Sequence, residues 1–324
     1  MEKRIYHGIE WLRAMACIGI LVWHVKANNS YVVPDIFNKV ITSFDDLVYL
    51  FMAISSFCLC CTYYPEVIGC KMDWTEFYKK RYAKLLPFFS LLIFLDVMIH
   101  FSIDSLLEGV TELTLFHGFV PIDFSVIGVG WFIGMVFIFY LVFPFFCVLT
   151  GNKVRAWISF VISICISGIC LYHFGLSRHN FLCSFCYFMA GGITYLYKDK
   201  LEKISWKFLV PIVVAAVFTY YFLGENILTR LFMTTSLLVV AISSNVKVIK
   251  PVTFLSGISM EIYLSHMVIF RLIEKVHLNL CFGNGWIQYV FTCIMVIVFT
   301  VIFSWIMKRI IDRLKNVFWR KRHE

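Results

Sequence analysis

Apolar runs separated by short polar breaks recur along the whole chain, and read in order they predict ten helices. The runs cover residues 9–25, 47–63, 85–101, 129–149, 156–174, 180–197, 208–223, 231–245, 253–276 and 287–308. Each is close to the roughly 20 apolar residues that an α-helix needs to cross a bilayer. Ten such helices take about 200 of the 324 residues, so only short connections remain and no separate soluble domain fits beside them. The expected fold is an all-α polytopic membrane protein with about ten transmembrane helices. It forms one integral membrane domain over residues 1–324, with a basic tail at 309–324. The first run follows Lys3 and Arg4 and could be mistaken for a signal peptide. Glu10 and Arg13 interrupt it and no small-residue cleavage site follows, so it is read as a retained helix.

Composition agrees with a membrane protein. The chain is 60% hydrophobic and 15% charged, whereas soluble domains carry about a quarter charged residues. Most of the 12 cysteines lie inside apolar runs, where a thiol behaves as a small hydrophobe. Cys183 and Cys186 form a CxxC without a second pair, and no metal site is expected.

The formal charge of +9 fits either nucleic-acid binding or topology, and the positions of the basic residues decide between them. With the N-terminus placed in the cytoplasm, 22 of the 29 Lys and Arg residues fall in cytoplasmic segments. Six fall outside (Lys26, Lys39, Arg178, Arg230, Arg271 and Lys275), and Arg13 lies within a span. This is a strong positive-inside bias, with both termini cytoplasmic and an even number of spans. The basic residues are dispersed over alternate loops, so no nucleic-acid partner is expected. The C-terminal cluster is read as lying on anionic lipid.

Ionisable groups inside a span are costly and need a reason. In the first helix, Arg13 and His24 are three turns apart on one face, roughly 16 Å along the axis. Glu10, one turn before Arg13, is placed to pair with it. The stripe admits two readings: a functional polar face, or a snorkelling arginine with a histidine capping the helix at the interface. In the ninth helix Ser259, Tyr263 and His266 share a face at i, i+4 and i+7. They either join His24 in a polar cavity or form a hydrogen-bonded seam between helices. Glu261 points away from that face, and neither it nor Asp96 has an evident partner. The run at 77–87 (FYKKRYAKLLP), read as a cytoplasmic loop, groups Lys80, Arg81 and Lys84 beside aromatics. That grouping suits a phosphorylated ligand, or is simply the topological signal itself.

Five segments stand out in order: Glu10-Trp11-Leu12-Arg13 followed by His24; Phe51-Met52-Ala53-Ile54-Ser55-Ser56-Phe57; the basic run ending in Pro87; Trp131-Phe132-Ile133-Gly134 followed by Tyr140 and Pro144; and Gly257-Ile258-Ser259 leading to Tyr263-Leu264-Ser265-His266. Together they resemble the acyltransferase type 3 family, the polytopic acyltransferases that modify bacterial surface polysaccharides. The chain departs from the family pattern in four places. Glu10 stands where Asp is usual, Ser56 where Gly is usual, Lys84 where a second Arg is usual, and Met135 near a frequent Glu. Lysine at position 84 gives up bidentate phosphate recognition.

The resemblance implies transfer of an acyl group, most often acetyl from acetyl-CoA, to a hydroxyl of a glycan or lipid-linked saccharide. It implies a bacterial cytoplasmic (inner) membrane location, His24 and Arg13 as catalytic residues with Glu10 beside them, and Arg81, Lys84 and Lys80 at the donor. The Arg13–His24 stripe is about as long as an extended pantetheine arm. Trp131, Tyr140, Ser259, Tyr263 and His266 are the candidate substrate-binding residues. His24 can serve as general base or as an acyl-accepting nucleophile. The alternative function is a secondary transporter of a sugar or proton-coupled solute, against which the lack of an internal repeat counts.

Overall fold

The computed structural model describes residues 5–99, 101–119 and 126–320. Lys3, Arg4, Lys321 and Arg322, which enter the charge balance above, lie outside the described residues, as does His100. Every regular element among the described residues is helical. In chain order they are α1 (His7–Ala27), α2 (Asp35–Ser43), α3 (Leu47–Ile68), α4 (Trp74–Ile99), α5 (Ile103–Leu113), α6 (Trp131–Thr150), α7 (Lys153–Gly168), α8 (Phe181–Leu196), α9 (Lys198–Leu201), α10 (Trp206–Leu223), α11 (Ile227–Ser243), α12 (Lys250–Gly257), α13 (Ser259–Lys275) and α14 (Trp286–Arg320).

The architecture is membrane-spanning. Among the described residues seven helices are long and apolar enough to cross a bilayer, and an eighth is counted if the bent pair α12–α13 is one span. α8 and α11 are apolar but shorter, at 16 and 17 residues.

Two sequence expectations are corrected. The basic run at 77–87 is not a loop but part of α4, which continues through Pro87. Glu76 pairs with Lys79 and Lys80 on its exposed side, and the aromatic residues Phe77 and Tyr78 face α6, so the run has the periodicity of a helix. The span at 253–276 is not one helix. It bends by 69° between α12 and α13. At the break the Ser259 hydroxyl donates to the Ser256 carbonyl oxygen, and the Lys308 ammonium donates to the Gly257 carbonyl oxygen at 2.8 Å. A cation there satisfies a carbonyl at the end of α12 and complements its negative end. α14 runs on from the last predicted span to Arg320.

Large apolar side chains face outward from the spanning helices, and several polar groups are buried among them. Phe208, Phe218 and Phe222 of α10 are two-thirds or more exposed, a surface that only lipid tails can cover at no cost. Three buried carboxylates are each paired with a cation, as a low-dielectric interior favours. Asp46 accepts from Arg230 at 2.8 Å and from the Tyr220 hydroxyl at 2.6 Å. Asp96, without an evident partner in the sequence, is held by Arg271 at 2.5 Å. Glu261 is held by Lys308 at 2.7 Å. Close helix contact is made by small residues. A Cβ at Gly191 of α8 would overlap the Ala53 carbonyl of α3, and one at Gly8 of α1 would overlap the Ala241 carbonyl of α11.

Candidate active site

α1 is continuous, so Arg13 and His24 stand on one rod with the separation that their spacing predicts. Each opens on a different cavity. Arg13 lines a cavity of about 200 Å³ with Lys84 of α4, Tyr140 of α6, Ser259 and Glu261 of α13, and Lys308 of α14. His24 lines a second, of about 340 Å³, with Trp131, Asp45, Arg178, His179 and Arg271. Tyr263 is a wall of both. Its ring packs against Phe132 at 5.1 Å and Phe51 at 6.2 Å, so three aromatic side chains stand between the two spaces.

The first cavity is cationic, with three basic side chains against one carboxylate. Its floor is the break between α12 and α13. The N-cap of α13, Ile258, offers no side-chain hydrogen bond, so the positive end of that helix meets the cavity without a protein cap. Arg81 does not line the cavity directly. Its guanidinium is boxed by aromatic rings, 5.0 Å from Tyr63, 5.6 Å from Phe77 and 5.5 Å from Tyr140, and donates to the Tyr63 hydroxyl at 2.6 Å. It holds the Tyr140 wall and leaves a positive charge behind it.

The second cavity is polar but nearly balanced in charge. Arg178 is held bidentately by Asp45, at 2.6 and 2.9 Å. Arg271 is held by Asp96 and also donates to the Val126 carbonyl oxygen at 2.9 Å. The Trp131 ring stacks on His179 at 4.3 Å and carries the Arg178 guanidinium at 5.6 Å. His24 is half-buried, with its ring 4.9 Å from that of His266 and 4.4 Å from that of Trp23.

Most of the candidate residues are brought together, with four differences. Glu10 does not pair with Arg13. It meets His7 Nδ1 at 3.0 Å, while the Arg13 Nη2 donates to Cys58 Sγ at 3.3 Å because the side chain turns inward against α3. Lys80 is exposed, one turn before Lys84 on α4, and pairs with Glu76 at 3.5 Å without lining the cavity. Tyr140 and Ser259 belong to the cationic cavity, not to the His24 cavity. His266 touches the His24 ring but is 1% exposed and lies behind the cavity wall. Lys308, Arg178, His179 and Arg271 were missed as site residues. For Arg271 and Lys308 a signal existed, since Asp96 and Glu261 each required a cation from elsewhere in the chain.

Among the described residues, no group of three or more His, Cys, Asp or Glu side chains is placed to hold a metal ion. No curated protein and no solved structure matches the chain. Compared with known families, residues 6–305 match the type 3 acyltransferase family, described as an acyltransferase domain. That match covers most of the chain and every lining residue of the two cavities except Lys308, so the chain belongs to the type 3 acyltransferase family and is a membrane acyltransferase.

Proposed function

We propose that the protein moves an acyl group, acetyl in the first instance, from cytosolic acyl-CoA to a hydroxyl of a surface polysaccharide or lipid-linked sugar. The observation that supports this is the pair of cavities, one cationic and one holding His24, with Tyr263 as their common wall. Both termini are cytoplasmic in this reading, α8 and α11 complete ten crossings, and the membrane is the bacterial cytoplasmic membrane. The excess of basic residues in alternate segments favours that orientation.

The cationic cavity then opens to the cytosol. Arg13, Lys84 and Lys308 meet the phosphates of the donor, with the uncapped end of α13 adding its partial charge. The pantetheine arm lies along α1, and the thioester passes the Phe51, Phe132 and Tyr263 rings to reach His24. The acceptor enters the other cavity, where Trp131 offers a face to a sugar ring. A ring nitrogen of His24 takes the hydroxyl proton as the acceptor oxygen attacks the thioester carbonyl. A C–O bond forms, the C–S bond breaks, and the departing CoA thiolate receives the proton from His24.

The test uses membranes containing the protein, labelled acetyl-CoA and the host's glycan lipid. His24→Ala lowers labelling of the glycan by about a hundredfold or more, the range of a lost general base. Equal labelling by wild type and variant would remove His24 from the chemistry.

A further inference from the structure

His266 is almost fully buried, yet only one of its ring nitrogens has a partner. Nδ1 lies 2.6 Å from the carbonyl oxygen of Tyr263, one turn earlier in α13. A carbonyl oxygen can only accept, so Nδ1 carries the hydrogen. In a neutral ring Nε2 is then a bare lone pair, and among the described residues nothing donates to it. A buried acceptor left without a donor loses its solvation without compensation, so such a group calls for a function. The neighbouring ring is that of His24, with centroids 4.9 Å apart. No bond joins the two rings as they stand, but at this separation a turn of the His24 ring or a single bridging water would link them.

We propose that His266 is a positioning residue that sets the tautomer of His24. Its Nε2 accepts the N–H of His24 on the side facing α13, so the other nitrogen of His24 is unprotonated and faces the cavity. A base must present a lone pair to the hydroxyl it deprotonates, and an imidazole free to choose its tautomer presents the wrong nitrogen part of the time. The Tyr263 carbonyl thus orients His266, and His266 orients His24, in a relay of neutral groups. When His24 takes the acceptor proton, its N–H towards His266 becomes a charge-assisted donor and the bond strengthens. The inference rests on His24 acting as the base, and the experiment separates the two claims.

Three variants in purified, lipid-reconstituted protein suffice: His24→Gln, His266→Phe and His266→Gln. Phenylalanine fills the space of His266 and offers no acceptor, whereas the glutamine carbonyl restores one. Loss of a group that orients a reacting residue through one hydrogen bond costs about 10–100-fold. The expected result is that His266→Phe lowers kcat by that factor with the acyl-CoA KM unchanged, and that His266→Gln recovers most of the loss. Wild-type kcat in His266→Phe, or a His266→Gln no better than the phenylalanine variant, overturns the proposal. If His24→Gln keeps wild-type kcat, the general-base reading itself fails, whatever the His266 variants do.

Discussion

The pair of Asp96 and Arg271 gives a stability prediction that can be worked from its geometry. The Asp96 side chain is 4% exposed and that of Arg271 is 26% exposed. Removing one partner of a buried pair costs about 3–5 kcal/mol, because the other charge is left without compensation. Arg271 keeps its bond to the Val126 carbonyl oxygen and can reach the water of the His24 cavity, which places Asp96→Ala near the lower end, at about 3 kcal/mol. For chains of a few hundred residues each kcal/mol moves Tm by about 2–4 °C, so the variant should melt roughly 6–12 °C below wild type. The assay is thermal unfolding in detergent followed by tryptophan fluorescence, with acylation measured on the same preparation. Replacing both partners, as Asp96→Leu with Arg271→Met, leaves no orphaned charge and should regain most of the Tm. It should not regain activity, since Arg271 is a wall of the His24 cavity. A Tm for Asp96→Ala within about 2 °C of wild type, or a double variant as unstable as the single one, would refute the assignment of this pair as a buried, mutually dependent one.

Three further outcomes follow from the same structure. Lys84→Gln and Lys308→Gln should each raise the acyl-CoA KM by about 10–100-fold, the value of one charge-assisted hydrogen bond, with little change in acceptor KM; an unchanged donor KM in both removes the cationic cavity from donor binding. Trp131→Ala should raise the acceptor KM by up to about tenfold through loss of a stacking surface while leaving donor KM alone, and a change confined to donor KM would contradict the placement of Trp131 in the acceptor cavity. Gly191→Val should destabilise the protein by at least about 1–3 kcal/mol, because the added side chain meets the α3 backbone at Ala53; a wild-type melting curve would show that the two helices do not approach so closely.

What the sequence made legible was periodic or paired. Long apolar runs marked the helices, and the 11-residue interval between Arg13 and His24 placed both on one face of α1. His266 could be set at the depth of His24 because the charge pattern has both helices enter from the same side. Local exceptions were not legible. The bend after Gly257 depends on Lys308, which is 51 residues away in sequence and was counted only as a topological charge. The basic run at 77–87 looks like a loop by polarity, but its aromatic residues pack along one side of a helix. Glu10 has basic neighbours at i−3 and i+3, and it is the packing of Arg13 towards Cys58 that decides between them. The second cavity was the least visible part. Its arginines lie on connections and helix ends, and only the fold brings Arg178 to Asp45 and Arg271 to Asp96.

In the proposed reaction, donor and acceptor occupy opposite sides of one reaction centre. Oriented proteoliposomes test it directly, with labelled acyl-CoA supplied only to the face bearing the cationic cavity and the saccharide acceptor only to the other. Labelled acceptor is expected with wild-type protein and none above background with His24→Ala. Acylation that occurs only when donor and acceptor share a compartment would contradict it.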